Sequence, residues 1–387
     1  MLKSERKMVD WFKKNYLIIG IIIVTILAFL VRYYMLDFVS RDYTNFLSHW
    51  FEYLKSNGGI LALKDYQGDY NPPYMTILAL LTYIPLDGLY LIKGLSIFFD
   101  FALALSSASL VAFLVKDNKK VYFFFTYALM LFVPEIVMNG SLWGQCDSMY
   151  ATFIVLSILF LLKKKYQLSF ILLGVAFALK LQFIFILPMY IVVYFASKKF
   201  SLLNFLYISL VNFILSLPAI IVGRPIGSII SIYIKQIGEY AESTTLNFLN
   251  IYDLIGEDAI IFSNYGIIMT MAVCFLMLAY VIYKNVKFNN QKIINLGLWF
   301  VVITTFLLPR MHDRYLYVGL VLALIYYIVY RKNLTLLISI ILCSIMTYSW
   351  YLFGTVIEAK TIIIIGYAVV IAYYTKDILY MLCEDNK

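Results

Sequence analysis

Cysteine is scarce in this chain, and its placement excludes two common uses of it. Four occur in 387 residues, Cys146, Cys274, Cys343 and Cys383. They are far apart, mostly within or beside apolar runs, so neither a metal clip nor a disulfide framework can be read from them. Histidine is scarcer, with only His49 and His312, and no tight Asp/Glu/His cluster suggests a bound metal. Charge is the third deficit: 14% of residues are Asp, Glu, Lys or Arg, against roughly 25% in a soluble domain. No internal repeat, low-complexity tract or separate soluble domain is visible either.

What is present is apolar surface. At 63% hydrophobic, the chain holds more than a water-soluble fold of its length could hide, and lipid is the consistent solvent. The formal net charge of +9 does not imply a nucleic-acid partner, which would call for a basic face or stripe. Lys and Arg instead sit in short clusters between long apolar runs, as anchoring by cytoplasmic positive charge requires.

Spans need about twenty apolar residues, and Lys/Arg-rich loops stay in the cytoplasm. Lys3, Arg6, Lys7, Lys13 and Lys14 place the N-terminus inside. The apolar run at 16–36 has no small-residue cleavage site after it, so it reads as a retained first span. It delivers an outer segment, 37–88, that is polar, aromatic and acidic at Asp37, Asp42, Glu52, Asp65 and Asp69. Within it, 73–86 is apolar but too short to span comfortably and is predicted to be an interfacial helix. The second span covers 89–115. Basic turns follow at Lys116 to Lys120, Lys163 to Lys165, Lys198-Lys199, Lys284 to Lys292 and Arg331-Lys332. Outer turns fall near 139–148, 180–183, 223–263, 309–314 and 354–360. The expectation is a single all-α integral membrane domain over 1–387, about twelve spans, with both ends cytoplasmic. Two short helices must fit within 168–197, and the loops 37–88 and 223–263 form the extracytoplasmic part.

Both histidines fall outside on this topology, and four polar clusters share their side. They are Ser40-Arg41-Asp42-Tyr43 with His49-Trp50 and Asp69-Tyr70-Asn71-Pro72-Pro73-Tyr74; Trp143-Gly144-Gln145-Cys146-Asp147-Ser148; Lys180 with Gln182; and Arg310-Met311-His312-Asp313-Arg314-Tyr315. Each has a bland explanation. Asp42 could be an ordinary solvated loop acid, Trp143 an aromatic-belt anchor, and Arg310 and Arg314 headgroup-snorkelling side chains. Lys180 resists that treatment, because a Lys in mid-span costs about 2.5–3.5 kcal/mol on insertion scales and normally faces a cavity. Lys93 and Asp100 lie on one face of the second span, either as an internal pair or as part of a cavity wall.

Together, Arg310, His312, Arg314 and Lys180 would make a cationic patch suited to a phosphate carried on a lipid, since Arg forks match phosphate oxygens and Lys adds a point charge. Asp42 would face it as a proton acceptor. A carboxylate base and a phosphate clamp are the two parts of an inverting sugar transfer from a lipid phosphate, in which the leaving group needs little acid catalysis.

At these residues the chain resembles the GT-C fold glycosyltransferases. The run Ser40 to Tyr43, then His49-Trp50, then Asp69 to Tyr74 looks like their first outer loop, and most of all like that of the endoplasmic-reticulum glucosyltransferases that use dolichyl-phosphate-glucose. Those have an acidic residue, a His-Trp pair and a Tyr-Pro-Pro element, which Asn71 interrupts here. Trp143 to Ser148 is similar to their aromatic-Gln-x-acid/amide-Ser turn, Lys180 falls where they carry a Lys, and His312-Asp313-Arg314 resembles their His-acid-base triplet. Order and rough spacing agree from about residue 30 to 320, and bacterial mannosyltransferase-like proteins look similar. The resemblance implies a GT-C type helical bundle and a polyprenyl-phosphate-sugar donor. It also implies inverting hexose transfer to a lipid-linked or envelope glycan on the outer face of the cell membrane. Asp42 becomes the catalytic base, and Lys180, His312, Arg314 and Arg310 the donor-phosphate contacts. Gln145, Asp147, Asp69 and Trp143 fall among the sugar-binding groups, and His49 and Trp50 shape the acceptor groove. Many relatives with monophosphate donors need no metal, so none is expected. A lipid-linked glycan flippase or transporter and a glycan polymerase remain the alternatives.

Overall fold

The computed structural model describes residues 2–66, 68–238, 243–255 and 260–384. Among them the regular structure is helical throughout, with only isolated bridges between Leu246, Asn247 and His312. Seven helices are long and apolar enough to cross a bilayer, or eight if Lys119–Phe132 and Pro134–Trp143, bent by 57° at their junction, form one broken span. This is the make-up of a helical membrane protein. The bend sits at Pro134, which cannot donate to the preceding turn.

The first helix, Lys3–Tyr33, is the most exposed of the seven, and Asn290–Leu307 is mostly buried. Ile22, Ile26, Phe98, Phe125, Phe275 and Ile362 all face outward, as lipid permits and water would not. The expected second span is the helix Gly88–Leu114, opened by Asp87, whose Oδ1 accepts the Leu89 N–H at 2.7 Å.

Two buried ties fasten it to the first helix. Arg32 Nε donates to Asp100 Oδ2 at 2.9 Å, and its NH1 donates to the Leu131 carbonyl at 2.9 Å. The Lys93 ammonium donates to the carbonyls of Met35, Leu36 and Phe38, at 3.1, 2.8 and 2.5 Å. Lys93 and Asp100 thus have separate partners and do not pair with each other. Gly140 allows the close approach that Asp100 makes: a Cβ there would lie 2.5 Å from Asp100 Oδ2.

The segment expected as an interfacial helix folds as Pro72–Leu81, ten residues with Pro at its first turn. Its Pro72, Pro73, Tyr74, Met75, Leu78 and Ala79 are buried, packed chiefly against the 3-10 turn Gly59–Lys64 and the helix Leu206–Ile221. It is therefore part of the protein interior along that face. In the stretch 168–197 two short helices do fit: Tyr166–Leu179 and Leu187–Ser197, with the 3-10 turn Leu181–Phe185 between them. Residues 239–242 and 256–259 of the expected loop 223–263 lie outside the described residues.

Several helices that end together make a recess. Asp147–Leu162 and Tyr317–Tyr330, of 16 and 14 residues, are about 24 and 21 Å long at 1.5 Å per residue. Both are almost wholly buried, and both begin where Lys180 interrupts its own helix. The turns that precede them carry Gln145, Arg314 and Tyr315, which border a hollow.

Candidate active site

The hollow is a cavity of about 470 Å³ lined by Asp42, Trp50, Asp69, Gln145, Lys180, Gln182, Arg310, His312, Arg314 and Tyr351. Apolar side chains line it too, among them Leu179, Leu181, Ile184, Phe185, Ile267 and Leu308. Segments widely separated in sequence supply its polar groups.

Asp42 lies in the segment that follows the first long helix, Lys3–Tyr33. It lies just before a π-helical turn, Tyr43–Leu47, that runs into the helix Ser48–Ser56. A second π-helical turn, Met138–Trp143, brings in Trp143 and ends at Gly144 with φ of +75°. Such wide turns are uncommon and concentrate at functional sites. They are joined directly, since Ser40 Oγ donates to the Trp143 carbonyl at 2.9 Å.

Four donors converge on the Asp42 carboxylate. Oδ2 accepts from Trp143 Nε1 at 2.9 Å, Gln145 Nε2 at 2.6 Å and Arg314 NH1 at 3.3 Å. Oδ1 accepts from the Tyr351 hydroxyl. The carboxylate is therefore fixed in position while remaining on the cavity wall.

Behind it stands a second, buried cluster. Asp147, fully buried in the first turn of its helix, accepts from Lys180 Nζ at 2.5 Å and from Asn139 Nδ2 at 2.9 Å. Helix dipoles favour both charges, because Asp147 is at a helix N-terminus and Lys180 follows the C-terminus of Tyr166–Leu179. Arg314 bridges the clusters, with Nε 3.7 Å from Asp147 Oδ2 and NH1 3.9 Å from Asp313 Oδ1, and its guanidinium lies 5.2 Å over the Trp143 ring.

The loop carrying Arg310 to Arg314 follows Leu308-Pro309, where the helix Asn290–Leu307 ends. Backbone pairing holds it in place: Arg310 N–H donates to the Thr244 carbonyl at 2.8 Å, and Leu246 N–H donates to that of Met311 at 3.1 Å.

Several expectations are corrected by this arrangement. The cations do not form a bare patch, because Lys180 and Arg314 are ion-paired with Asp147 and Asp42. His312 adds no charge. Its burial, with Arg314 and Lys180 nearby, pushes the imidazole well below its usual range, leaving a neutral ring. Asp147 and Trp143 do not reach the cavity surface; both are fully buried and act through Lys180 and Asp42. His49 is exposed and does not line the cavity. Adjacent helical positions point in different directions, so Trp50 faces inward and His49 outward. Asp69, Gln145, Lys180, Arg310, Arg314 and Trp50 reach the cavity as expected.

The structure adds residues that sequence reasoning did not select. Tyr351 sits just before the outer turn expected at 354–360, and Asn139 at the start of the one at 139–148. Both were at the right level of the topology, but neither carries a charge to draw notice. Asp313, named only within its triplet, is 1% exposed, and neither of its oxygens has a hydrogen-bond partner. Burial pushes its carboxyl up to about 7, against the pull of Arg314 and with the push of Asp42.

That shift has a thermodynamic consequence. A group bound more tightly by protons in the folded state favours folding at low pH, and the benefit disappears as pH rises through its folded value. Asp313 should make the wild type lose stability between the ordinary carboxylate range and about pH 7. In Asp313→Asn this part of the slope should be missing from unfolding midpoints measured in detergent against pH. Parallel profiles for the two proteins would contradict the assignment.

No protein-family model matches the chain, and no curated protein matches it in sequence.

Proposed function

We propose that this protein is an inverting glycosyltransferase of the GT-C type, taking a hexose from a polyprenyl-phosphate carrier. A lipid-linked or envelope glycan accepts it at the outer face of the cell membrane. On this reading four of the shorter apolar helices also cross the bilayer, giving about twelve crossings with both termini cytoplasmic. What carries the proposal is one juxtaposition: a fixed carboxylate from the first loop and cations from two distant segments share a cavity that apolar side chains also line. A substrate with a charged head and a hydrocarbon tail suits such a recess.

The chemistry follows from the atoms. The acceptor hydroxyl gives its proton to Asp42 while its oxygen bonds to the anomeric carbon. The bond from that carbon to the phosphate oxygen breaks, and its electron pair leaves with the phosphate. Arg314, Lys180 and Arg310 stabilise the added charge, since cations already held in place need no reorganisation as it develops. Neutral His312 is suited to donate a hydrogen bond to a phosphate oxygen. Asp69, Gln145 and Gln182 offer acceptors and donors to sugar hydroxyls, and Trp50, set edge-on to Tyr70 with centroids 5.6 Å apart, offers a sugar face a ring.

Purified protein in nanodiscs, given a panel of polyprenyl-monophosphate hexoses and a membrane glycolipid extract, should consume one of them and release polyprenyl phosphate. Consumption of a diphosphate-linked oligosaccharide alone would make the protein a polymerase. Movement of an intact lipid-linked sugar across proteoliposomes, without bond cleavage, would make it a transporter.

A further inference from the structure

We propose that Tyr351 is a positioning residue for the Asp42 carboxylate, selecting which oxygen atom, and which lone pair on it, receives the proton. The proposal rests on the glycosyltransferase reading for its chemical meaning, but the geometry stands apart from it. Tyr351 lies near the end of the helix Leu334–Phe353, far in sequence from the segments that supply the other groups.

Two contacts hold the side chain. Its hydroxyl donates to Asp42 Oδ1. Its ring stacks on Trp143 at 4.5 Å between centroids and 19° between planes. Trp143 is braced on another side by Tyr348, edge-on at 5.1 Å, and itself donates to Asp42 Oδ2. One helix end therefore reaches both oxygens of the carboxylate, directly through Tyr351 and indirectly through Trp143. Tyr351 also lines the cavity, so its hydroxyl and any hydroxyl entering there meet at the same carboxylate.

The two oxygens are unequal. Oδ2 receives three donors, Trp143, Gln145 and Arg314, more than the roughly two lone-pair sites of a carboxylate oxygen. Among the described residues Oδ1 has Tyr351 as its one donor and retains a lone pair. Proton acceptance thus falls to Oδ1, along the direction that Tyr351 leaves open. In the transfer step the acceptor O–H bond breaks and its proton joins Oδ1, while Tyr351 keeps its own proton throughout. Without the hydroxyl, Oδ2 stays held by its three donors, but Oδ1 loses the one contact that sets its lone-pair direction.

Tyr351→Phe removes one oxygen and preserves the stacked ring, so it separates positioning from packing. With a polyprenyl-monophosphate hexose as donor, kcat should fall about tenfold to a hundredfold, the scale on which misplacement of a reacting group acts. The donor KM should stay within about twofold, because the phosphate contacts are untouched. Unchanged kcat would overturn the proposal, as would a fall in kcat matched by a rise in donor KM.

A second readout needs no turnover. Labelling of Asp42 by a hydrophobic carbodiimide, followed by peptide mass spectrometry, should be several-fold faster in monodisperse Tyr351→Phe than in wild type, since the hydroxyl caps the oxygen the reagent must reach. Equal rates would overturn the proposal even if the wild type consumes no such donor, a result that would count only against the glycosyltransferase reading.

Discussion

Asp42→Asn is expected to lower sugar transfer by about 10²–10⁴-fold, the range that a positioned general base supplies, while leaving the protein folded. Asparagine matches aspartate in shape, and its amide oxygen can replace Oδ2 as acceptor for Trp143 and Gln145. Arg314 loses one anionic partner but keeps Asp147 and Asp313 nearby. What disappears is an oxygen able to take a proton. Asp42→Ala would be harder to interpret, because it strips every donor of its acceptor and confounds chemistry with disorder. The measurement is release of polyprenyl phosphate by purified wild type and variant, with thermal midpoints compared in the same detergent. Activity within about twofold of wild type would remove Asp42 from the role of base.

Asp147→Ala should have the largest effect on stability. Lys180 is 5% exposed and its ammonium lies 2.5 Å from Asp147, so the substitution leaves a cation stranded in the interior. Breaking a buried pair by removing one member typically costs about 3–5 kcal/mol, whereas replacing both by apolar groups is often nearly neutral. Asp147→Ala combined with Lys180→Met should accordingly recover much of the loss while remaining inactive. Denaturant titration in mixed micelles reports both quantities. A double variant no more stable than the single one would mean that Lys180 finds other compensation and that the pair is not the central tie of this region. Since Asn139 and Arg314 also address Asp147 Oδ2, some of the loss belongs to them and will not return.

The sequence made some of this visible and hid the rest, for identifiable reasons. Lys180 announced itself because an ammonium in an apolar run is expensive unless it faces something polar. Asp42, Gln145 and Arg314 could be grouped because alternating basic turns put them at one level. Which groups touch was beyond reach: pairing between helices depends on rotation and depth, and hydropathy encodes neither. Arg32 was passed over inside the first apolar run, although it is the partner of Asp100. Nothing in the sequence sets Tyr351 apart in a chain with 34 tyrosines. The assumption that clustered cations make a cationic site failed because Asp147 and Asp42, from other turns at the same level, pair with Lys180 and Arg314. Span counting was hardest at 168–197, where the helical segments Tyr166–Leu179 and Leu181–Ser197 are both shorter than the usual crossing length.

The ties between the first two long helices bear on more than anchoring. Arg32 is clamped sideways to Asp100, and a few residues later Lys93 gathers three carbonyls as the chain leaves the helix. The stretch from there to Asp42 therefore has a fixed origin and heading, and acts as a ruler whose far mark is the carboxylate proposed as the base. A residue inserted or deleted along it would displace Asp42 from its place on the cavity wall, so the spacer should tolerate changes of chemistry far better than changes of length.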